Sequence, residues 1–220
     1  KTGVLATQLE SRRSAFESQL ENARRLQASL SEKRSELEKS RGRLASLEAL
    51  QHAALGGEAG TAHEWLERLG LGRSRRLAEV LEVDVGWEAA VETVLQGWLD
   101  AVLVDSPSAF ETELHALEQV NLTLLSATSS DTGFPAGTLA AKARGPVAAL
   151  NLLARVTTAE SIGAAQSAMP MLGDGQSLIT PEGEWIGPGF ARIARSQGAQ
   201  AGVLSREREI SGLSERIAEL

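Results

Sequence analysis

Heptad repeats at both ends of the chain are the feature that most constrains its fold. Every d position across six heptads of the first fifty residues is apolar, and these positions are Leu9, Phe16, Ala23, Leu30, Leu37 and Leu44. Near the other end, an apolar residue recurs at spacings of three, four and three, at Ile210, Leu213, Ile217 and Leu220. A sustained seven-residue repeat indicates a coiled-coil seam. The sequence therefore predicts two helical arms that run antiparallel, with a globular body between them.

The first arm has a poorly specified seam. Its a positions are mixed, at Ala6, Arg13, Leu20, Gln27, Arg34 and Arg41. Polar a positions weaken a seam or leave its partner to be specified by charge. A solvated single helix is disfavoured, because a lone helix gains little stability without a buried face. The second arm is much shorter, so we expect the outer half of the first to fray, bend or pair with another copy.

The segment from residue 76 to residue 105 is predicted to form a strand, a helix and a strand. The apolar run at 77–83 indicates the first strand. The helix is expected from Trp87 to Leu95, where apolar residues recur at helical spacing, and Gly97 ends it. A second strand is expected at 99–104, and Pro107 opens the next helix.

The remaining body repeats this order. Helices are expected at 61–69 and 106–119, a strand at 121–127, and a loop or linker at 128–137. The second half then gives a strand at 153–157, a helix ending near Met169, and strands at 177–180, 185–186 and 190–194, with a turn at 181–184. This repetition indicates two similar subdomains.

Composition excludes several classes of function. The chain has no cysteine, so disulfides and thiolate metal sites are ruled out, as is a coiled-coil tip closed by a Cys-x-x-Cys zinc hook. No phosphate loop is present, and the zinc-protease start at His63 and Glu64 fails because Glu67 stands where the second histidine belongs. No apolar run approaches the roughly 18 residues that span a membrane. We therefore predict no catalytic residue, no metal site, no cofactor and no membrane partner.

The strand–helix–strand block resembles the hinge domain of the structural maintenance of chromosomes (SMC) family, particularly the bacterial condensin type. The matching segments are 77–83, the Gly-Trp-Glu of 86–88 through Gly97, 99–105, and 180–213. The resemblance covers roughly residues 55–220. It implies an α+β fold in which two small mixed-sheet subdomains emerge from an antiparallel coiled coil. The expected boundaries are 1–52 and 203–220 for the two arms, 56–130 for subdomain I and 131–202 for subdomain II.

The resemblance also implies a function. The chain is expected to be the homodimerisation hinge of a cytoplasmic, nucleoid-associated complex for chromosome condensation and segregation. The ATPase heads and the kleisin-type accessory subunits of that family would belong to the full-length protein, of which this chain is expected to be a fragment without enzyme activity. An edge strand of subdomain I would pair with one of subdomain II in the partner. The interface residues carried over are Gly97, Trp98, Leu99, Ile193, Ala194, Gly198 and Gly202.

The sequence departs from the family where paired glycines are usual. Gln96 stands before Gly97 in place of the first glycine of one pair, and Ile193-Ala194-Arg195 stands where the second pair is usual. Because paired glycines let two backbones approach closely, one or both contacts of the dimer are expected to be looser than is usual in the family. Two other functions stay open: an enzyme domain inserted in a coiled-coil protein, and a tether that binds another protein without self-association.

DNA binding is expected to be weak, salt-sensitive and independent of sequence at most. Residues 51–203 contain 18 acidic and 9 basic side chains, which opposes general attraction to a polyanion. The basic residues that could contribute are Arg73, Arg75, Arg76, Lys142, Arg144, Arg192, Arg195, Arg206 and Arg208. The alternative is that these residues only balance the acidic surface through ion pairs.

Overall fold

The computed structural model describes residues 2–55, 61–115, 117, 120–129, 133–193 and 202–219. Its α-helices are α1 (Thr2–Ala54), α2 (Thr61–Arg68), α3 (Leu77–Val80), α4 (Glu88–Leu95), α5 (Glu111–His115), α6 (Val147–Leu153), α7 (Ile162–Ala168) and α8 (Val203–Glu219). Short 3-10 helices occupy Pro107–Phe110, Leu139–Lys142 and Met169–Met171. None of the helices within the described ranges is long and apolar enough to cross a membrane.

Eight short strands form three small sheets in the described chain. They are β1 (Glu82–Val83), β2 (Val102–Val104), β3 (Leu124–Ser126), β4 (Ala143–Arg144), β5 (Val156–Thr158), β6 (Ser177–Ile179), β7 (Glu184–Gly187) and β8 (Phe190–Ile193). β1 pairs antiparallel with β4, and β2 pairs parallel with β3. The third sheet has the order β5-β6-β7-β8, parallel between β5 and β6 and antiparallel elsewhere. The predicted α+β class with small mixed sheets is confirmed.

The chain divides into two compact units. The first unit comprises Lys1–Ser46 and Ser211–Leu220 and is helical throughout its described part. Within it, Glu36 of α1 forms an ion pair with Arg216 of α8, and Leu37 is half-buried. Towards the start of α1 the d positions are open, with Leu9 69% and Phe16 64% exposed. The predicted seam is thus covered only where α8 lies beside it.

The second unit, Leu47–Ile210, is built around one main hydrophobic core. The largest fully buried side chains of this core come from α3, α4, α6, α8, β6 and the 3-10 helix that follows the linker, and they are Leu77, Val91, Leu95, Leu139, Leu153, Ile179 and Val203. A smaller cluster lies between α2 and the β2–β3 pair, where Trp65, Leu66, Val102 and Val104 are buried. The predicted helix at 61–69 thus packs with Trp65 and Leu66 inward.

The internal repeat predicted from the sequence is present in the structure. β2 leads through a helical segment to β3, its parallel neighbour, and β5 leads through α7 to β6 in the same way. Each repeat is a short strand–helix–strand crossover. Parallel strands need such a connection because a tight hairpin cannot join them. The β7–β8 hairpin then extends only the second repeat.

One predicted strand is wrong. The run at 77–83 begins as helix α3, and only Glu82–Val83 form a strand. The N–H groups of Leu77 and Ala78 donate to the carbonyls of Ala101 and Leu99, and Glu79 accepts the N–H of Arg76. These bonds to the α4–β2 connection satisfy the start of a helical turn, so tertiary contacts override the β-rich composition.

The two predicted subdomain ranges are in intimate contact. Strand β1 lies in 56–130 and its partner β4 in 131–202, so one small sheet joins them. The main core also takes residues from both ranges. Part of this junction is α6, a helix that the periodicity analysis did not predict.

Candidate dimer interface

The turn after α4 presents the first group of predicted interface residues. α4 ends at Leu95 with Gln96 in a right-handed helical conformation, and the N–H of Trp98 donates to the carbonyl of Leu95 at 2.7 Å. Gly97 is exposed, its φ lies outside the left-handed region, and a Cβ added there would have no atom within 4 Å. Nothing within the described chain therefore requires glycine at this position, neither a left-handed cap nor a close neighbour.

Leu99 differs from its two neighbours. Its side chain is buried in the main core, and its backbone carbonyl accepts the N–H of Ala78 at 3.0 Å. Trp98, by contrast, keeps 38% of its surface exposed. The surface of this turn is therefore formed by Gln96, Gly97 and Trp98, and the buried Leu99 side chain attaches the turn to the main core.

Strand β8 presents the second group. All four of its residues are exposed, including Phe190 at 43% and Ile193 at 57%. The Phe190 ring packs edge-on against Trp185 of β7 at 5.4 Å, and the Trp185 indole N–H donates to the Ser177 hydroxyl at 2.8 Å. β8 is the last strand in its sheet. The hairpin thus carries large apolar side chains and an unpaired strand edge within the described part of the chain.

The two groups adjoin each other in one chain. The guanidinium of Arg192 in β8 donates a hydrogen bond to the Gln96 side chain. Ala194, Gly198 and Arg195 of the predicted sites lie outside the described residues. Gly202 is described, and its φ of +70° with an N–H bonded to Glu92 gives it a local role at the start of α8.

Several of the predicted DNA-binding cations already have partners within the chain. Lys142 lies 3.8 Å from the Asp84 carboxylate and over the Trp87 ring at 5.6 Å. Arg208 pairs with Glu88, Arg206 donates to Gln51, and Arg192 contacts Gln96 as described above.

The arginines after α2 are also engaged. Arg75 donates to the carbonyl of Glu79 and Arg76 to that of Asp100, both at 2.8 Å. Arg73 and Arg144 are exposed, and Arg144 lies opposite Glu82 in the β1–β4 pair. Most of the described cations in this set are therefore already engaged by polar groups of the same chain.

A polar cavity of about 660 Å³ lies beside the start of α8. It is lined by His52, His63, Glu67, Arg73 and Glu207, among others. Burial raises the pKa of Glu207, while the hydrogen bond from Gln51 opposes that shift. No group of three or more histidine or acidic side chains within the described ranges is arranged to hold a metal ion.

Sequence reasoning missed the acidic face of α4. Glu92 accepts the N–H groups of Gly202 and Leu204 at 3.0 and 2.8 Å, and Glu88 pairs with Arg208. The partners are more than 100 residues away, so helical spacing alone indicated only a solvated face. The exposed Phe190 was likewise assigned to a strand but not to an interface, although its spacing of two residues from Arg192 indicates that both side chains lie on one face of that strand.

Comparison with known proteins identifies close counterparts. The family model described as "SMC proteins Flexible Hinge Domain" matches residues 72–168. The chromosome partition protein Smc of Xanthomonas oryzae pv. oryzae is 41% identical over 163 residues, which cover 74% of this chain and 14% of that protein. The protein of the same name from Coxiella burnetii is 41% identical over 176 residues, covering 79% and 15%. This chain therefore spans only a small part of the length of these relatives.

A solved structure has the same fold. The SMC hinge domain of Geobacillus stearothermophilus, described as an asymmetric dimer, superposes with a TM-score of 0.62 at 22% sequence identity. The match covers 88% of this chain and 86% of the other.

Proposed function

This chain carries a bacterial hinge domain of the SMC family, and on that premise we propose that it is the homodimerisation hinge of a chromosome-organising complex. The observation that carries the proposal is that Trp98 of the α4 turn and Phe190 and Ile193 of β8 are exposed large apolar side chains, while Arg192 of β8 bonds to Gln96 of the turn. Tryptophan and phenylalanine are enriched in the centres of protein interfaces. A related hinge of the same fold is described as a dimer.

The arrangement of the two groups suits a two-fold interface. In such an interface, if residue i of one copy contacts residue j of its partner, then residue j of the first copy contacts residue i of the partner. The α4 turn and β8 adjoin in one chain, so a two-fold axis beside them can place the turn of each copy against β8 of the other. The edge of β8 that has no neighbouring strand among the described residues can add backbone hydrogen bonds by strand addition. A glycine at position 97 is then explained, although the described residues of one chain do not require it, because it leaves space for a neighbouring backbone of the partner.

We infer that the contact is made by Gln96, Gly97, Trp98, Phe190 and Ile193. This set omits Leu99, whose side chain is buried in its own core, and Gly202, whose conformation serves α8. Ala194 and Gly198 stay in the proposal on the family resemblance alone.

Sedimentation equilibrium of the unsubstituted chain, called the parent below, tests the proposal directly. At tens of micromolar we expect the mass of a dimer, because a specific interface of more than about 1,000 Å² should persist at that concentration. A monomer mass across this range would overturn the hinge function, whatever the similarity of sequence. A folded monomer that retains a partner protein in a pull-down would instead identify a tether.

The enzyme alternative would rest first on the polar cavity beside α8. Its Glu207 carboxylate is hydrogen-bonded to Gln51, which also donates to the carbonyl of Val203 at 3.0 Å. These bonds hold α8 against α1, so the buried Gln51 and half-buried Glu207 side chains have a structural role and need no catalytic one. We therefore propose a non-catalytic module, with catalysis, kleisin binding and nucleoid association belonging to the complete protein.

DNA binding is kept as a secondary and weaker proposal. The exposed Arg73 and Arg144 are the described cations that the polar contacts above leave most accessible to a phosphate backbone. Backbone binding needs several such contacts at once, and each one steepens its dependence on salt.

A further inference from the structure

A polar stripe on α4 gathers contacts from the C-terminal part of the chain. Glu88, Glu92 and Gln96 are four residues apart, so they share one face of the helix. The outer two contact Arg208 and Arg192 respectively.

The central member of the stripe, Glu92, caps α8. Its Oε2 accepts the N–H of Gly202 at 3.0 Å, and its Oε1 accepts the N–H of Leu204 at 2.8 Å. The first N–H groups of a helix have no partner inside it and are usually satisfied by a nearby serine, threonine or aspartate. Here the residue before Val203 is glycine, which has no side chain to offer. A carboxylate from a distant helix takes that role, and its charge also suits the positive end of the helix dipole.

A buried amide holds the same turn of α8 from the side of α1. The Gln51 side-chain amide donates to the carbonyl of Val203 and to the Glu207 carboxylate, both at 3.0 Å. Its oxygen accepts the Nε–H of Arg206 at 3.1 Å. One buried side chain therefore fixes three groups of α8.

We propose that Glu92 and Gln51 together form an axial lock, which fixes the position of the first turn of α8 along its own axis. A shift of one residue moves every group by about 1.5 Å, and both sets of hydrogen bonds would then exceed bonding distance. The lock does not depend on dimerisation. The lock fixes α8 against α4, which belongs to the first half of the hinge. In the order of the sequence, however, α8 follows the second half.

Amide exchange measured by NMR tests the Glu92 side of the lock. In Glu92→Gln, the single remaining acceptor oxygen cannot serve both N–H groups and the charge is lost. We expect exchange at Gly202 and Leu204 to accelerate about tenfold or more, as for the loss of a charge-assisted hydrogen bond. The matched control is Glu182→Gln, which removes one exposed charge in the β6–β7 turn and should leave both amides unchanged. Exchange in Glu92→Gln within about twofold of the parent would overturn the lock.

Distances between two spin labels test the position of α8 itself. The chain has no cysteine, so the exposed Ser205 and Asp100 can each be replaced by a labelled cysteine. We expect one narrow distance distribution in the parent. Glu92→Gln, and separately Gln51→Met, which keeps the side-chain volume but removes the amide, should broaden it. An unchanged distribution in either variant would contradict the lock.

The unsubstituted protein provides a test that needs no folded variant. If the carboxylate of Glu92 accepts these bonds, the amide nitrogens of Gly202 and Leu204 should each show a scalar coupling across the hydrogen bond to the carboxyl carbon of Glu92. Couplings from these nitrogens to a different carboxyl or carbonyl carbon would refute the assignment of the cap.

Discussion

Substitution of Gly97 separates a role inside the chain from a role between chains. The sequence allowed this glycine to be a left-handed helix cap, in which case alanine would cost on the order of 1 kcal/mol. The structure removes that premise, because the φ of Gly97 is not left-handed and, apart from the adjacent residues, no atom of the described chain lies within 4 Å of an added Cβ. We therefore expect Gly97→Ala to leave the free energy of unfolding of the monomer unchanged or to raise it by about 0.4–1 kcal/mol, since alanine restricts the unfolded chain.

A larger substituent at the same position should act on the dimer alone. Gly97→Glu places a carboxylate on the proposed contact, where burial without a partner costs about 2–5 kcal/mol. A loss near 3 kcal/mol corresponds to a dissociation constant raised roughly 150-fold. Because the described residues leave the space around Gly97 open, the fold itself should tolerate the side chain.

Sedimentation equilibrium over a range of concentrations measures the dissociation constant, and circular dichroism reports the fold. We expect Gly97→Glu to be a folded monomer at concentrations where the parent is a dimer. The control is Gly189→Ala in the β7–β8 turn, which lies in open space but has a φ of +84°, so it should cost stability without changing mass. If Gly97→Glu dimerises as tightly as the parent, the α4 turn is not part of the contact.

Three further outcomes follow from the geometry. Gly183→Ala should destabilise the chain by more than Gly189→Ala in urea unfolding, because both have positive φ but only a Cβ at 183 would meet Thr93 Oγ1, at 2.7 Å; equal losses would contradict this packing. Glu207→Gln should gain stability relative to the parent as pH rises above 4.5, the ordinary value for a glutamate: the raised pKa of Glu207 means that the folded state binds its proton more tightly than the unfolded state, so the parent loses stability as the pH passes from the ordinary pKa through the raised one. A constant difference between the two proteins would refute that origin. Labelled DNA should bind weakly near 50 mM salt and release as salt rises, and no binding there would remove DNA from the function of this chain.

Local periodicity was sufficient for much of the fold. The spacing of apolar residues from Trp87 to Leu95 predicted α4, and the turn chemistry near Gly183 predicted the β6–β7 connection. Heptads predicted the long helix α1. These elements are determined by patterns within a few residues, and the core only has to accept them.

The run from Leu77 to Val83 was decided by its surroundings. Its composition favours a strand, yet Leu77 and Ala78 donate to carbonyls more than 20 residues away and form the first turn of a helix. The helix α6 was hidden for the related reason that a short apolar run does not distinguish a buried helix from a buried strand. The free energy that selects between them comes from distant partners.

The candidate site divides in the same way. By itself, the sequence determined that Gly97, Trp98 and Ile193 lie near the ends of a helix and a strand. The resemblance to the family assigned all three to a dimer interface. Only the tertiary structure brought that turn beside β8, buried Leu99, and joined Glu92 to the first turn of α8 across 110 residues of sequence. Hydrogen bonds and exposure depend on which surfaces fold against each other, and no local pattern records that choice.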